Sequence, residues 1–313
     1  MHAVVHAAHA FFDHLAAIKW APLGIGVGFF LLRVSARPVA WRNIIAAAYP
    51  GIRVPLPRIF GAYWVGVAIN AVLPARGGDA VKLVLVRHKV PESTYPTLAA
   101  TLIVETLFDF FVSGIFFLWA LSLGVLPGVH ANIPGLEWNW FFNHPKASAA
   151  IAGLTTFALG AIVILLQPKL RNFKERVRQG FAILQPFERY LRGVVPWQAA
   201  SWVFRFASIF FFLRAFGVPG TAHNVLLTLV VQSLATLLPF TPGGFGTEQG
   251  LLVAVFHGKV EAGALLSFSV GQKIVTMVAG LVVGGAALFA MVRTLSLRRL
   301  RHEAKAIDEP PGL

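Results

Sequence analysis

The sequence predicts an all-α integral membrane protein, an inverted repeat of two span–re-entrant hairpin–span units with about five full crossings and two hairpins. Three observations predict this fold. First, the chain is 57% hydrophobic and 13% charged, whereas soluble domains carry about 25% charged residues. Second, long apolar runs alternate with clusters of Lys and Arg. Third, two apolar runs are broken by Leu-Pro, a Gly-Gly pair and then an acid.

The formal net charge of +14 indicates contact with the membrane surface. Lys and Arg mark cytoplasmic loops and contact anionic phospholipid at that face, so we expect no nucleic-acid partner. The absence of cysteine excludes disulfides and thiolate metal sites. His2, His6, His9 and His14 have roughly helical spacing, which suits a metal site or an amphipathic interfacial lead-in. The lead-in is favoured because no carboxylate cluster accompanies the histidines. We therefore expect neither a metal nor a cofactor.

Apolar length and basic loops predict the crossings. The first covers residues 15–34, and a loop containing Arg33, Arg37 and Arg42 should follow it in the cytoplasm. The other crossings are expected at residues 97–123, 146–167, 196–216 and 262–291. The inverted halves would cover 15–123 and 196–292 within one transmembrane domain, 1–292. Residues 168–192 predict a joining amphipathic cytoplasmic helix, and 293–313 predict a basic and then disordered cytoplasmic tail.

Both interrupted runs predict re-entrant hairpins. Residues 59–73 rise about 22 Å as a helix, against about 30 Å of hydrocarbon. Basic residues at both outer ends of the first hairpin indicate entry from the cytoplasm. The second hairpin, residues 224–256, has few cations at its ends and should enter from outside. Interrupted segments at matching positions in two halves are typical of a transporter binding site.

The two hairpin tips supply the candidate substrate-binding residues. Consecutive glycine amides before a helix start can hold an anionic head group, and nearby cations complement phosphate. The alternatives are that the glycines only permit close packing, and that Asp79 and Glu248 cap the return arms. The candidates are Asn70, Arg76, Gly77, Gly78, Asp79, Lys82, Thr241, Gly243, Gly244, Gly246, Glu248 and Gln249.

Three of the charges inside predicted spans form a candidate polar network. Glu105 and Asp109 share a helix face, and Arg205 lies near the middle of another span. Each would cost about 2.5–3.5 kcal/mol facing lipid, so all three should face the interior. Arg205 could pair with Glu105 or Asp109 as a structural lock. Alternatively, the three could form a wet polar pathway or a proton-responsive site. The polar residues of the second-half apolar arms should bond across helices: Gln232, Gln249, Gln272 and Lys273.

Three motifs together carry a family resemblance. They are Ile-Asn-Ala-Val-Leu-Pro-Ala-Arg-Gly-Gly-Asp-Ala-Val-Lys at 69–82, Val-Glu-Thr-Leu-Phe-Asp at 104–109, and Leu-Leu-Pro-Phe-Thr-Pro-Gly-Gly-Phe-Gly-Thr-Glu at 237–248. Across residues 15–292 the chain resembles the lysylphosphatidylglycerol synthase transmembrane family, also called the flippase-like domain family. The chain departs from it at Glu105-Thr106, where the family often has Glu-Arg.

The resemblance implies translocation of a phospholipid or lipid-linked intermediate by a multi-pass plasma-membrane protein. The basic residues that follow the last predicted span place the C-terminus in the cytoplasm. Protonation of Glu248, Asp79 or the Glu105/Asp109 pair is the candidate coupling step. No catalytic or nucleotide-binding motif is found, so we expect no enzyme. The alternatives are a subunit that positions a glycosyltransferase or synthase partner, an intramembrane transferase, and a small-solute pathway.

Overall fold

The structure is a computed structural model that describes residues 18–72, 77–122, 171–185, 187–237 and 246–308. Over these ranges all regular secondary structure is helical, with a short 3-10 helix at Ala182–Leu184. The α-helices are α1 (Trp20–Ala48), α2 (Leu56–Val72), α3 (Gly77–Arg87), α4 (Tyr95–Ser122), α5 (Arg171–Gly180), α6 (Phe187–Gly193), α7 (Val195–Ala215), α8 (Ala222–Leu237), α9 (Thr247–Val255) and α10 (Ala262–Asp308).

Three helical segments within the described residues are long and apolar enough to cross a membrane. They are Trp20–Ala48, Tyr95–Phe116 and Ala262–Arg293. The predicted α-helical, multi-pass membrane protein is therefore confirmed. The predicted crossing 196–216 coincides with α7, a helix of 21 residues. The predicted crossing 146–167 lies outside the described residues.

Helix packing joins the two halves of the chain. α1 packs along α7, and α10 packs along α2. Small residues allow the first of these approaches: a Cβ on Gly26 would lie 3.1 Å from the Phe212 ring. The Ser208 hydroxyl also donates a 2.8 Å hydrogen bond to the Gly26 carbonyl. Close backbone approach at small residues is the usual way in which membrane helices associate.

The short helices α2 and α3 form the arms of the first predicted hairpin. The two backbones meet at Gly66 and Gly78, because a Cβ on Gly78 would overlap the Gly66 carbonyl oxygen. α2 has only 17 residues, in agreement with the short arm expected from the sequence. The short helices α8 and α9 form the corresponding arms of the second. Both connecting tips, 73–76 and 238–245, lie outside the described residues.

The predicted end of the first helix at residue 34 is wrong. α1 continues through Pro38 to Ala48 and so contains Arg33, Arg37 and Arg42, which the sequence placed in a cytoplasmic loop. The residues beyond Val34 sustain the helix because they supply a second buried stripe: Ala36, Ala40, Trp41, Ile44, Ile45 and Ala48. Three arginines therefore belong to the helix bundle rather than to a loop.

The prediction of a single amphipathic helix at 168–192 is also wrong, because this segment is divided into α5, the 3-10 helix and α6. α5 ends at Gly180, which packs so closely on α4 that a Cβ would lie 2.6 Å from the Thr97 carbonyl oxygen. Gln179 fastens the same turn to α1 through a 2.7 Å hydrogen bond from its amide to the Ala48 carbonyl. Farther along, α10 runs through the basic stretch of the predicted tail to Asp308.

Candidate functional site

A cavity of about 720 Å³ lies among α1, α2, α3, α4, α7 and α8. Its walls carry charges of both signs together with hydroxyl and amide groups. Seven charged side chains are among the described lining residues: Arg33, Arg37, Asp79, Lys82, Glu105, Asp109 and Arg205. Because such groups are costly in a hydrocarbon environment, a cavity that gathers them within a helix bundle is a candidate functional site.

Arg37 occupies the centre of this charge cluster. Its Nη2 atom lies 2.6 Å from Glu105 Oε1 and 2.6 Å from Asp109 Oδ2. Its Nε atom also donates a 2.7 Å hydrogen bond to Glu105 Oε1. One guanidinium therefore joins two carboxylates that are one helical turn apart on α4. The fork of N–H donors on arginine suits this double contact.

Neutral donors complete the coordination of the two carboxylates. Glu105 Oε1 accepts hydrogen bonds from Tyr63 and from Gln198, both at 3.3 Å. Asp109 Oδ1 accepts a 2.8 Å hydrogen bond from the indole of Trp202. α2 and α7 thus converge with α1 on the same pair of acids. The prediction that Glu105 and Asp109 face the interior is confirmed.

Arg205 does not pair with Glu105 or Asp109, so that expectation is wrong. It stacks on the Trp202 ring, with the guanidinium carbon 4.8 Å from the ring centroid. Its Nη2 atom donates a 3.4 Å hydrogen bond to Gln232 on α8. Arg37 instead forms the ion pairs with Glu105 and Asp109, because α1 is longer than predicted and brings that arginine to α4.

The first tip contributes three predicted residues to the cavity wall, Asn70, Asp79 and Lys82. Lys82 is 5% exposed, and its Nζ atom lies 2.8 Å from Asp79 Oδ1. The same ammonium group lies 4.3 Å from the centre of the Tyr63 ring. These contacts connect α3 of the first hairpin to the Arg37 cluster, because Tyr63 contacts both Lys82 and Glu105.

The start of α3 is capped by a residue of α2. The Asn70 side-chain oxygen accepts a 2.7 Å hydrogen bond from the Gly78 backbone N–H, and the Asn70 amide donates to Asp79 Oδ1 at 3.3 Å. The sequence left open whether Asp79 caps this helix. Among the described residues, the capping acceptor is Asn70, while Asp79 lies in the first turn and pairs with Lys82. Gly77 is the first residue of α3.

The second hairpin contributes a separate ion pair beside the cavity. Gly246, at φ +85°, precedes α9 and donates its N–H to Gln249 Oε1 at 2.7 Å. Glu248 is 5% exposed, and its Oε2 atom lies 2.9 Å from Lys273 Nζ on α10. Here too the predicted acid pairs with a lysine, and a neighbouring amide side chain performs the capping.

Gln232 links the two polar regions. It accepts from Arg205, and its amide donates to Glu248 Oε1 at 3.4 Å and to Gln272 Oε1 at 3.3 Å. The prediction that these polar residues bond across helices is confirmed for Gln232, Gln272 and Lys273. It is wrong for Gln249, whose side-chain oxygen accepts from the Gly246 N–H at the start of its own helix. Side-chain contacts therefore run from the Arg37 cluster through Trp202 and Arg205 to the Glu248 pair.

Several predicted residues lie outside the described residues, namely Arg76, Thr241, Gly243, Gly244 and the four N-terminal histidines. Sequence reasoning missed five residues of the site: Arg33, Arg37, Tyr63, Gln198 and Trp202. The four-residue spacing of Arg33 and Arg37 repeats that of Glu105 and Asp109, and this common helical face was the available signal. The aromatic donors carried no comparable signal, because aromatic residues are frequent in membrane helices.

Comparisons with known proteins concern nearly the whole chain. The family model for the lysylphosphatidylglycerol synthase TM region matches residues 5–284. One similar protein is a UPF0104 membrane protein from Methanothermobacter thermautotrophicus, which is 22% identical over 217 residues. That match covers 63% of this chain and 64% of the relative, so the chain spans somewhat less than two thirds of the relative's length. With the family model matched over most of its length, the chain belongs to the lysylphosphatidylglycerol synthase TM region family.

Proposed function

We propose that the protein moves a phospholipid or a lipid-linked intermediate between the two leaflets, without catalysing a covalent reaction. The observation that carries this proposal is the charged cavity of about 720 Å³ enclosed by helices of a membrane protein. Such a volume suits a lipid head group, since small-molecule sites occupy about 300–1,000 Å³. Membership of a family named for a lipid synthase's transmembrane region supports a lipid-related role.

The wall of the cavity is amphipathic, as the transfer of an amphiphile requires. Phe110 lines the cavity on α4 and is 77% exposed, and Gly114, one turn farther along, is exposed as well. Glu105 and Asp109 lie on the same helix but point to Arg37. A head group can therefore contact the charged interior while the acyl chains remain beside the apolar edge of α4.

We further propose that α1–α4 and α7–α10 are inverted units that alternate the exposure of the head group. Each unit has a long helix, two short helices and another long helix in the same order. The packing across the units is reciprocal, since α2 contacts α10 and α8 contacts α4. In transporters, movement of one repeat against the other exposes a central site to each side in turn.

The coupling step in this proposal is an exchange of ionic partners. The carboxylates Asp79, Glu105, Asp109 and Glu248 are all within ion-pair distance of a Lys or Arg. A proton or a substrate charge that replaces one partner would release a helix from its neighbour. The Trp202–Asp109 hydrogen bond joins the two units, and the contacts through Arg205 and Gln232 would carry such a change on to Glu248.

The test is lipid exchange in proteoliposomes made with phospholipids labelled on the acyl chain. Dithionite destroys the label in the outer leaflet, so facilitated exchange extends the fluorescence loss beyond that seen in protein-free liposomes. A Gly114→Phe variant should slow this exchange at least several-fold, because Gly114 lines the cavity and has open space around its Cβ position. Gly285→Phe is the matched control, since Gly285 also has open space but lies on α10 outside the cavity.

Exchange no faster than in protein-free liposomes, for every phospholipid supplied, would contradict the proposal. Equal exchange by the Gly114→Phe and Gly285→Phe variants would remove the cavity from the pathway. Co-purification with a lipid-modifying synthase or glycosyltransferase, combined with no exchange by the isolated protein, would favour a subunit that positions its partner.

A further inference from the structure

The charges that line the cavity do not balance. Four cations (Arg33, Arg37, Lys82 and Arg205) face three carboxylates (Asp79, Glu105 and Asp109) among the described lining residues. The neighbouring pair of Glu248 and Lys273 adds no net charge. The described part of the lining therefore carries a formal charge of +1 within a low-dielectric region, where an uncompensated charge is costly.

Arg33 and Arg205 together carry +2, which exceeds the −1 left by Arg37 with Glu105 and Asp109. Lys82 is paired with Asp79, and Arg37 serves both acids of α4. Within the described part of the chain, the Arg33 guanidinium makes no ion pair or hydrogen bond, although Arg33 lines the cavity.

Arg205 has only neutral partners in the described ranges, the Trp202 ring and the Gln232 amide oxygen. Its Nε–H is buried and has no hydrogen-bond acceptor there. Arg33 and Arg205 also repel one another across this space, while the more distant carboxylates of Asp109 and Glu248 attract Arg205 without contacting it. An anion bound beside the two guanidiniums would relieve that repulsion.

We infer that the head group bound here is a phosphodiester with a net charge of −1, held by Arg33 and Arg205. This inference rests on the proposed lipid transport. Guanidinium groups match phosphate because their N–H donors form a planar fork with fixed spacing. A single negative charge cancels the +1 of the described lining. A zwitterionic head group would leave the cavity at +1, and a head group with a net positive charge would raise it further.

The first experiment compares acyl-labelled phosphatidylglycerol with acyl-labelled phosphatidylethanolamine in the same dithionite assay. Phosphatidylglycerol, with its net charge of −1, should exchange about tenfold faster, which corresponds to one charge-assisted hydrogen bond. The variants Arg33→Gln and Arg205→Gln should each reduce this ratio toward one. Arg53→Gln and Arg214→Gln are matched controls outside the cavity and should leave the ratio unchanged, since both arginines are exposed.

The two proposals fail in different ways. Equal exchange of both lipids by the native chain would overturn the phosphodiester inference but leave lipid transport standing. No exchange of either lipid would overturn lipid transport. An unchanged ratio in both glutamine variants would remove Arg33 and Arg205 from head-group recognition.

A binding measurement separates a lipid site from a site for free phosphate and also controls for folding. Phosphatidylglycerol added to the detergent-solubilised protein should raise its thermal midpoint, and inorganic phosphate should not. Arg205→Lys keeps the charge and should retain more of the lipid-induced shift than Arg205→Gln. An equal shift with inorganic phosphate, or equal shifts in the lysine and glutamine variants, would contradict the inference.

Discussion

Arg37 on α1 and Glu105 on α4 are 68 residues apart in the sequence, yet Arg37 Nη2 lies 2.6 Å from Glu105 Oε1. The same atom of Arg37 reaches Asp109, so one cation holds two acids of a neighbouring helix. Glu105 is almost completely buried, with 3% of its side chain exposed. This arrangement makes Arg37 the cation on which the polar interior of the first four helices depends.

Replacing Arg37 with methionine should strongly destabilise the protein. The substitution leaves two carboxylates without a cation, and breaking a buried pair from one side costs about 3–5 kcal/mol. The thermal midpoint in detergent should therefore fall sharply. The variant that combines Arg37→Met with Glu105→Gln and Asp109→Asn should recover most of the loss, because it leaves neither acid of α4 as an unpaired carboxylate. Failure of the triple variant to recover would show that packing, rather than charge, dominates at this position.

Substituting alanine for Gly78 should separate α3 from α2. A Cβ at Gly78 would overlap the Gly66 carbonyl oxygen and lie 2.8 Å from the Asn70 side chain. Overpacking of this kind costs about 1–3 kcal/mol and should lower the thermal midpoint. Gly28→Ala is the control, since Gly28 lies in α1 with no atom within 4 Å of its Cβ position. Equal midpoints for the two variants would contradict the close crossing of α2 and α3.

A disulfide between α2 and α10 should form when Val67 and Gly280 are both replaced by cysteine. A Cβ on Gly280 would lie 3.5 Å from Val67 Cγ1, close to the position that a cysteine sulfur would take. The natural chain has no cysteine, so oxidation can produce only the designed bridge. Val67→Cys with Gly285→Cys should remain reduced, because nothing approaches the Gly285 Cβ position. Thiol counting after denaturation would decide between these outcomes.

Single cysteines at His88 and Ala222 should label from opposite sides of the membrane. Both residues are exposed, with His88 just beyond α3 and Ala222 at the start of α8. If the first hairpin enters from the cytoplasm, His88→Cys should react with an impermeant maleimide only in inside-out vesicles. Ala222→Cys should react only in right-side-out vesicles. Labelling of both positions from one side would contradict the predicted opposite orientation of the two units.

Local patterns predicted much of the fold because they act within one segment. Apolar length predicted the membrane class and the position of most helices, including the short α2. Leu-Pro and Gly-Gly breaks correctly separated α2 from α3 and α8 from α9. The first helix was predicted too short because charge alone suggested a loop. Arg33 and Arg37 remain helical because residues farther along α1 are buried and extend its apolar stripe.

The sequence by itself determined that this is a helical membrane protein with two interrupted apolar segments and with carboxylates that must face away from lipid. Those features follow from the cost of exposing charge to hydrocarbon and from the backbone limits of proline and glycine. Only the tertiary structure decided that Arg37 pairs with Glu105 and Asp109, and that Arg205 donates a hydrogen bond to Gln232. The partner of each charge depends on which helices pack together. Helix packing brings together residues that are far apart in the sequence, and no local sequence pattern relates such residues.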